Sequence, residues 1–273
     1  MSNAVLRLLT ALIGIPVVVG VLYAGGWWVG GLLLGVALLA QREVYHLMEA
    51  GGLSPRKAEG LVLGALLVLW AYVPAAGAAA LALVLAGLAL SPLRHAEDNP
   101  LPSLAATVFG ALYPTLFLAF LIRLRLAEGG AVGDREAFWL TLAVVVLVWV
   151  TDTLAYYTGK ALGRRPLAPR VSPKKTWEGT IGGAAGALAA AVVFKLTVLP
   201  FLAWPHLLMV GLLCGVVSQL GDLAESKMKR AAGVKDSGTI LPGHGGLLDR
   251  LDALILAVPL VYLYLAYVAR LYA

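Results

Sequence analysis

The sequence predicts an all-α fold, a polytopic membrane bundle of about nine transmembrane helices. Hydrophobic residues make up 60% of the 273-residue chain and charged residues only 13%, whereas about 25% of a typical globular chain is charged. The mean hydropathy is +0.87. Apolar stretches of roughly 15 to 23 residues, near the length that crosses a bilayer, follow one another along the chain. These observations favour a membrane protein over a soluble domain.

The expected spans are separated by short loops and a few longer polar segments. Gly25 and Gly26 predict a tight turn between the first two spans, Pro74 separates the third from the fourth, and Pro114 predicts a kink in the fifth. The approximate expected ranges are 8–23, 27–40, 60–73, 76–90, 104–122, 138–157, 179–199, 206–220 and 251–267.

Polar chemistry is concentrated in the second half of the chain. Spans three and four carry no ionisable residue and are rich in Ala, Gly and Leu, and such small residues let transmembrane helices approach closely. We therefore expect residues 1–136 to form N-terminal membrane helices that serve as scaffold or dimer surface. Residues 137–273 are expected to form the catalytic membrane helices with their cytoplasmic polar loops. The single cysteine, Cys214, excludes an intrachain disulfide.

The basic residues predict the orientation. With the N-terminus inside and nine spans, sixteen Lys or Arg residues fall on inner segments and four on outer ones, a positive-inside bias. We expect a multi-pass protein of the cell inner (cytoplasmic) membrane whose site faces the cytoplasm. The net charge of +6 does not indicate nucleic acid, because the basic residues lie in loops between apolar spans. The lipid bilayer and phosphate-bearing ligands are the expected partners.

Three polar clusters are candidates for chemistry, and the first lies at the end of span six. Asp152, Tyr156 and Gly159 share one helical face, and Lys160 follows. An acid placed after an unbroken apolar run usually has a partner or a ligand. A plain ion pair with a nearby base is the alternative.

The second cluster directly precedes span seven. Lys174 and Lys175 are flanked by Ser172 and Thr176. A threonine can cap the helix, and Glu178 suits the positive end of the helix dipole. Paired lysines beside a helix N-terminus also form a phosphate site. A polybasic patch on anionic lipid headgroups is the alternative.

The third cluster lies between residues 218 and 252. Asp222 and Glu225 are three residues apart on the helix that continues span eight, and Asp249 and Asp252 are three apart at the start of span nine. Two helix ends, each with a carboxylate pair, can hold a hard cation such as Mg²⁺. Interhelical ion pairs, for example Asp249 with Arg230, are the alternative.

A glycine-rich loop separates these acids. Its Gly245 and Gly246 could present backbone N–H groups to phosphates, and His244 between two glycines is a candidate base or ligand. Ser226 lies one helical turn after Asp222. The stretch contains Ser226-x-Met228-Lys229-Arg230-x4-Lys235-Asp236, then Gly238, Leu241, Pro242, His244-Gly245-Gly246, Leu247, Asp249-Arg250 and Asp252.

This stretch closely resembles the signature of the phosphatidate cytidylyltransferases (CDP-diacylglycerol synthases). Asp152 with Tyr156, and the segment 172–179, are similar to that family's other polar segments, so the resemblance spans the C-terminal half. It implies that CTP and phosphatidate react to give CDP-diacylglycerol and pyrophosphate. It also implies a homodimer, Mg²⁺ held by Asp222 and Asp249, and room for a second cation nearby.

The remaining expected roles follow from charge. Glu225 and Asp252 are expected as auxiliary metal ligands, and Arg250 would neutralise the leaving pyrophosphate. Triphosphate or lipid phosphate would be held by Lys174, Lys175, Lys227, Arg230 and Lys235.

Two other functions are alternatives. A CTP-dependent lipid kinase has related-looking motifs and would transfer the γ-phosphoryl group instead. A transporter would explain intramembrane carboxylates, but it predicts inverted repeats with broken helices in both halves, and the charges cluster in one half only.

Overall fold

The computed structural model describes residues 3–93, 99–126, 132–241, 243 and 245–272. These residues are mainly helical, as expected, and their only β-structure beyond an isolated bridge is one two-stranded hairpin. The chain forms two compact units. The first unit comprises residues 1–122 and 228–250, and the second comprises residues 123–227 and 251–273.

The elements follow in chain order. Helices of ten residues or more are numbered α1 to α10, and the hairpin strands are β1 and β2. The elements are α1 (Asn3–Ala24), α2 (Gly26–Ala50), α3 (Lys57–Tyr72), α4 (Pro74–Leu90), a 3-10 turn (Ser91–Leu93), α5 (Leu101–Ala111), a π-helical segment (Leu112–Leu116), α6 (Phe117–Leu126), α7 (Asp134–Leu162), β1 (Pro166–Ala168), β2 (Ser172–Thr176), α8 (Trp177–Thr197), α9 (Trp204–Ala231), a 3-10 turn (Leu248–Arg250), α10 (Asp252–Leu263) and a second π-helical segment (Tyr264–Val268).

Glycine and proline interrupt the helices where the sequence predicts. Gly25 and Gly26 adopt positive φ angles of 67° and 47°, a conformation that favours glycine, and they form the turn from α1 to α2. Pro74 is the first residue of α4. Pro114 lies in the first π-helical segment, where its missing N–H interrupts the α-helical hydrogen-bond pattern.

Four helices among the described residues are long and apolar enough to cross a membrane: Leu101–Leu126, Asp134–Leu162, Trp177–Thr197 and Trp204–Ala231. Three shorter apolar helices cover Leu12–Ala24, Gly77–Leu90 and Asp252–Val268. A helical membrane protein is therefore supported, but the count of nine spans is not confirmed. Helix α2 also continues well past its expected end at residue 40, because the polar residues that follow remain helical as far as Ala50.

The first unit has a buried polar centre among α2, α3 and α5. Gln41 Nε2 donates to the Gly60 carbonyl at 2.6 Å and to the Tyr45 hydroxyl at 2.9 Å. The Tyr45 hydroxyl in turn donates to the Thr107 carbonyl at 2.8 Å. The buried side chains of Gln41 and Tyr45 thus both have hydrogen-bond partners, as is usual for polar groups in a dry interior. An apolar cluster of Leu63, Leu67, Leu88 and Ala111 lies in the same unit.

The second unit is organised around the close approach of α7 and α8. A Cβ on Gly183 would lie 2.7 Å from the Thr151 carbonyl oxygen, and a Cβ on Gly179 would lie 2.7 Å from that of Ala155. Only glycine allows such backbone contact, and small residues at this spacing are typical of membrane helix pairs. The backbones of α7 and α8 are therefore in direct contact at Gly179 and Gly183, close to the start of α8.

Candidate functional site

A β-hairpin orders the basic segment before α8 in the second unit. Strand β1 pairs antiparallel with β2, with Pro166 opposite Thr176 and Ala168 opposite Ser172. The Trp177 N–H donates to the Arg165 carbonyl at 3.0 Å. The sequence predicted a loop here, since lysine and proline are poor strand formers. Lys174 and Lys175 therefore lie on an ordered strand beside a helix N-terminus.

Side-chain caps secure the start of α8. The Thr176 hydroxyl accepts a hydrogen bond from the Gly179 N–H at 3.1 Å, as an N-cap. Glu178 Oε2 accepts from the N–H groups of Arg164 at 3.0 Å and Arg165 at 3.2 Å. The interpretation of the second cluster as a helix cap is thus correct for Thr176, whose hydroxyl oxygen accepts a hydrogen bond from the first turn of α8. The lysines take no part in this capping.

The second and third sequence clusters meet at Asp222. Lys175 Nζ lies 2.5 Å from Asp222 Oδ2, and both side chains are largely buried, with 26% and 29% exposed. The Ser226 hydroxyl donates to Asp222 Oδ1 at 3.3 Å. Lys175, one of the paired lysines before α8, therefore forms an ion pair with Asp222, a predicted metal-binding carboxylate. Helix α9 runs unbroken through Asp222 and Glu225, as expected.

More acids of the second unit gather around Asp252 at the start of α10. Its carboxylate interacts electrostatically with those of Asp222, Glu225 and Asp152. Glu225 is completely buried. Like charges in a poorly solvated place repel each other, so a cation would stabilise them together. The structure therefore brings the first sequence cluster, Asp152, into the same neighbourhood as the third.

The donor atoms of this acidic group suit a hard cation. The buried Ser218 Oγ makes no hydrogen bond within the described part of the chain, and it lies one helical turn before Asp222. Within those same residues, no three His, Cys, Asp or Glu side chains have metal-ligand separations. Mg²⁺ needs only one or two carboxylates beside water and phosphate oxygens. The group thus fits a cation that binds together with a phosphorylated substrate.

Asp249 lies in the first unit within a dense hydrogen-bonded site. Lys229 Nζ donates to its Oδ1 at 2.5 Å, and the N–H groups of Ser237 and Gly246 donate to its Oδ2 at 3.0 and 2.9 Å. Burial alone would raise the pKa of Asp249. The hydrogen bond and charge of Lys229, together with the two N–H groups, outweigh burial and hold that pKa below its ordinary value. Asp249 is therefore an ionised carboxylate at neutral pH.

One expectation about Asp249 is wrong, and the ion pair that was its alternative forms with a different residue. It does not share a helix with Asp252, because it lies in the 3-10 turn Leu248–Arg250, whereas α10 begins at Asp252. Its ion-pair partner is Lys229, not Arg230, whose Nη1 donates to the Val234 carbonyl at 3.0 Å. The two predicted carboxylate pairs are thus not equivalent, since only Asp222 and Glu225 lie on one helix.

The glycine loop is also used differently from the prediction. The N–H of Gly246, expected for phosphate, donates to Asp249. Gly245 has a positive φ of 84° and accepts a hydrogen bond from the Leu241 N–H at 3.0 Å. His244 lies outside the described residues. The loop therefore acts as a support for Asp249.

Glu43 is a site residue that the sequence prediction missed. It lies on α2 with only 2% of its surface exposed, and its carboxylate accepts three hydrogen bonds from residues 237, 247 and 248. An acid directly after an apolar span was the available signal. The interpretation of residues 41–59 as a polar connection hid it.

The other predicted site residues lie at the surface of their units. Six of them have exposed side chains: Tyr156, Lys160, Lys174, Lys227, Lys235 and Arg250. Ser172, on β2, is partly buried. Exposed cations are accessible to an anionic substrate; Lys160, Lys174 and Lys227 belong to the second unit, whereas Lys235 and Arg250 belong to the first. The individual roles of these five residues stay predictions.

Comparison with known proteins agrees with this chemistry. A family described as "Cytidylyltransferase family" matches residues 5–268. A phosphatidate cytidylyltransferase of Synechocystis sp. is 34% identical, over 94% of both chains. "Phosphatidate cytidylyltransferase 4, chloroplastic" of Arabidopsis thaliana is also 34% identical, over 95% of this chain and 73% of its own. The Bacillus subtilis phosphatidate cytidylyltransferase is 49% identical over 49% of each chain.

The match covers nearly the whole chain, including the N-terminal half that the sequence could describe only as membrane helices. It also includes every residue of both polar sites, from Glu43 to Asp252. With a full-length relative above 30% identity, the chain belongs to the cytidylyltransferase family.

Proposed function

We propose that this chain is a phosphatidate cytidylyltransferase, a nucleotidyltransferase of phospholipid biosynthesis. One observation carries the proposal: relatives of that name match nearly the whole of this chain, over 94% of the length of a bacterial protein and 73% of the length of a chloroplastic plant protein. A phosphate oxygen of phosphatidate attacks the α-phosphorus of CTP. A new P–O bond forms, the bond between the α-phosphorus and its bridging oxygen breaks, and pyrophosphate leaves with CDP-diacylglycerol as the other product.

The reaction needs little acid–base chemistry from the protein. A phosphomonoester is largely dianionic near neutral pH, because its second pKa is about 6, so the nucleophile is already charged. The difficulty is to bring two anions together and align them. Lys174 and Lys175, ordered on β2, supply positive charge for this task. Lys175 can exchange its contact with Asp222 for a substrate phosphate when the substrate arrives.

We further propose that Asp222 holds a divalent cation together with water and substrate phosphate oxygens, that Glu225 and Asp252 are auxiliary acids nearby, and that the cation is Mg²⁺. When bound, Mg²⁺ neutralises phosphate charge and stabilises the departing pyrophosphate. The oxygen-rich, mutually repelling acids around Asp252 support this assignment. The assignment of Asp249 to the metal stays a prediction of the family signature. In the first unit, Asp249 is an ionised group held rigidly by Lys229 and two N–H groups.

The setting follows from the charges and the apolar helices. We propose that the protein lies in the cytoplasmic membrane, with Lys174, Lys175 and Asp222 at its cytoplasmic face. The positive-inside bias of the basic residues supports this orientation, and CTP is available on that side. A homodimer, implied by the signature, is part of the same proposal and is testable by the mass of the detergent-solubilised protein.

Product analysis tests the function. Purified protein is incubated with α-³²P-CTP, phosphatidate and Mg²⁺, and wild type is compared with Asp249→Asn and with the control Glu49→Gln. Glu49 is an acid of α2 that pairs with Lys57 at the surface. We expect labelled CDP-diacylglycerol from wild type and the control, and on the order of a thousandfold less from Asp249→Asn.

Each other outcome rejects a defined part of the proposal. An active Asp249→Asn protein would remove Asp249 from the reaction. Label released as CDP, with phosphate transferred to a lipid alcohol, would replace the transferase with a lipid kinase. No labelled lipid from folded wild type, with no released CDP, would reject both enzymes.

A further inference from the structure

The buried carboxylate of Glu43 joins α2 to the loop that precedes Asp249. Its Oε1 accepts from the Leu247 N–H at 3.0 Å. Its Oε2 accepts from the Leu248 N–H at 2.7 Å and from the Ser237 hydroxyl at 3.1 Å. These donors lie about two hundred residues further along the chain. One side chain therefore fixes both ends of the segment 237–248.

The same segment supplies the N–H groups that hold Asp249. Ser237 donates its backbone N–H to Asp249 and its hydroxyl to Glu43. Gly246, whose N–H also bonds Asp249, directly precedes the two leucines that bond Glu43. Movement of the Glu43 carboxylate would therefore displace both N–H donors of Asp249. The two acids are coupled through two short pieces of backbone, Ser237 and residues 246–248.

Glu43 also accounts for two glycines of the signature. A Cβ on Gly246 would lie 2.7 Å from Glu43 Oε2 and 2.8 Å from the Gly238 nitrogen. A Cβ on Gly238 would lie 2.8 Å from the Glu43 carboxyl carbon. These separations are too short for any side chain, so the loop closes around the carboxylate only with glycine at both positions.

A charged acceptor is required at this place. The glutamate side chain offers two acceptor oxygens to three donors, whereas a glutamine side chain offers one acceptor oxygen and one NH₂ donor group. In Glu43→Gln, the NH₂ group would face either the Leu247 N–H or the pair formed by Leu248 and Ser237. At least one donor would lose its acceptor in a buried place. The substitution changes hydrogen bonding with almost no change in volume.

We propose that Glu43 is a positioning residue for the transferase reaction: it holds residues 237 and 246–248 so that the Asp249 carboxylate stays fixed in its hydrogen-bonded geometry. The inference rests on the proposed function, in which Asp249 is needed for activity. Glu43 itself contacts neither substrate in this scheme, since it is buried beneath the loop.

The main test combines kinetics with a double-mutant cycle. We expect Glu43→Gln to lower kcat about 10- to 100-fold, with a smaller change in KM for CTP, while Glu49→Gln keeps wild-type kinetics. If Glu43 acts through Asp249, the double variant Glu43→Gln/Asp249→Asn is no less active than Asp249→Asn alone. Losses that multiply would overturn the proposal, as would an unchanged kcat in Glu43→Gln.

Hydrogen exchange gives a readout that does not need activity. In Glu43→Gln we expect faster amide exchange at residues 237 and 246–248, with unchanged exchange in α7 and α8. Unchanged exchange in the loop would overturn the proposal even if wild type makes no CDP-lipid, so its failure is separable from failure of the function.

A second variant covers the case in which Glu43→Gln does not fold. Ser237→Ala removes one donor to Glu43 and leaves the Ser237 N–H on Asp249. We expect a smaller loss of kcat and faster exchange in the same amides, and Asp249→Asn should mask the kinetic effect. A variant with wild-type kcat and wild-type exchange would reject the coupling between the two acids.

Discussion

Replacing Lys229 by methionine removes the ammonium group that pairs with Asp249 and keeps a side chain of similar length. The charged groups are 2.5 Å apart, and only 10% of the Lys229 side chain and 7% of the Asp249 side chain are exposed. Removing one partner of a buried ion pair costs about 3–5 kcal/mol. Asp249 keeps two N–H donors, so we expect a loss at the lower end, about 3 kcal/mol.

The pH dependence has a defined sign. Since the pKa of Asp249 is held below its ordinary value, its stabilising contribution is present above the unfolded pKa of about 3.9. It is lost as the pH falls through the lower folded pKa. In Lys229→Met, burial of the carboxyl is opposed only by the N–H groups, so the pKa rises. The acid limb of the pH–rate profile should therefore move to higher pH.

The assay is kcat/KM for CDP-lipid formation between about pH 4 and 9, together with thermal unfolding in detergent. Lys57→Met is the matched control. Its partner Glu49 lies 2.7 Å away, but the two side chains are 43% and 39% exposed, and such surface pairs contribute below about 1 kcal/mol. The reasoning is refuted if Lys229→Met and Lys57→Met have the same stability and the same acid limb.

Two further predictions concern α8. Thr176→Ala removes the N-cap hydroxyl that accepts from the Gly179 N–H and should destabilise the protein by about 1 kcal/mol. Thermal unfolding checks this against the control Thr197→Ala, which loses only an exposed hydrogen bond within its own helix. Equal melting temperatures of the two variants would contradict the capping role. Gly183→Ala would force a Cβ to within 2.7 Å of the Thr151 carbonyl and should cost about 1–3 kcal/mol. Its control is Gly35→Ala, where a Cβ meets nothing within 4 Å, and a Gly183→Ala protein as stable as that control would show that α7 and α8 separate easily.

Local patterns predicted the helical elements well. Apolar runs, Gly25 and Pro74 each act within a few residues, so the sequence contains the whole cause of a helix or a break. The continuation of α2 to Ala50 was less visible, because polar residues in a helix look like a loop when burial is unknown. The described residues contain four long and three shorter apolar helices, against nine expected spans. The number of segments that cross a bilayer therefore depends on where each helix begins and ends.

The acids of the site were identifiable by type but not by partner. Asp222 and Asp249 stood out because carboxylates are rare in an apolar chain. Their partners depend on contacts between distant segments: Lys175 reaches Asp222 across 47 positions of sequence, and Glu43 reaches Leu248 across 205. No periodicity encodes such pairs. The hairpin at β1 and β2 was missed for a related reason, since its turn and caps outweigh weak strand propensity.

The close approach of α7 and α8 at Gly179 and Gly183 has a consequence for how the protein enters the membrane during its own synthesis. The two helices are adjacent in sequence and are joined by the short hairpin, so their contacts are local and close quickly. They can pair in the membrane once Thr197 has left the ribosome, before α9 and α10 have emerged. Lys175 would then already be in place when Asp222 emerges. Asp222 would then meet its counter-ion as soon as α9 is inserted, which lowers the cost of burying this carboxylate at the cytoplasmic end of the helix.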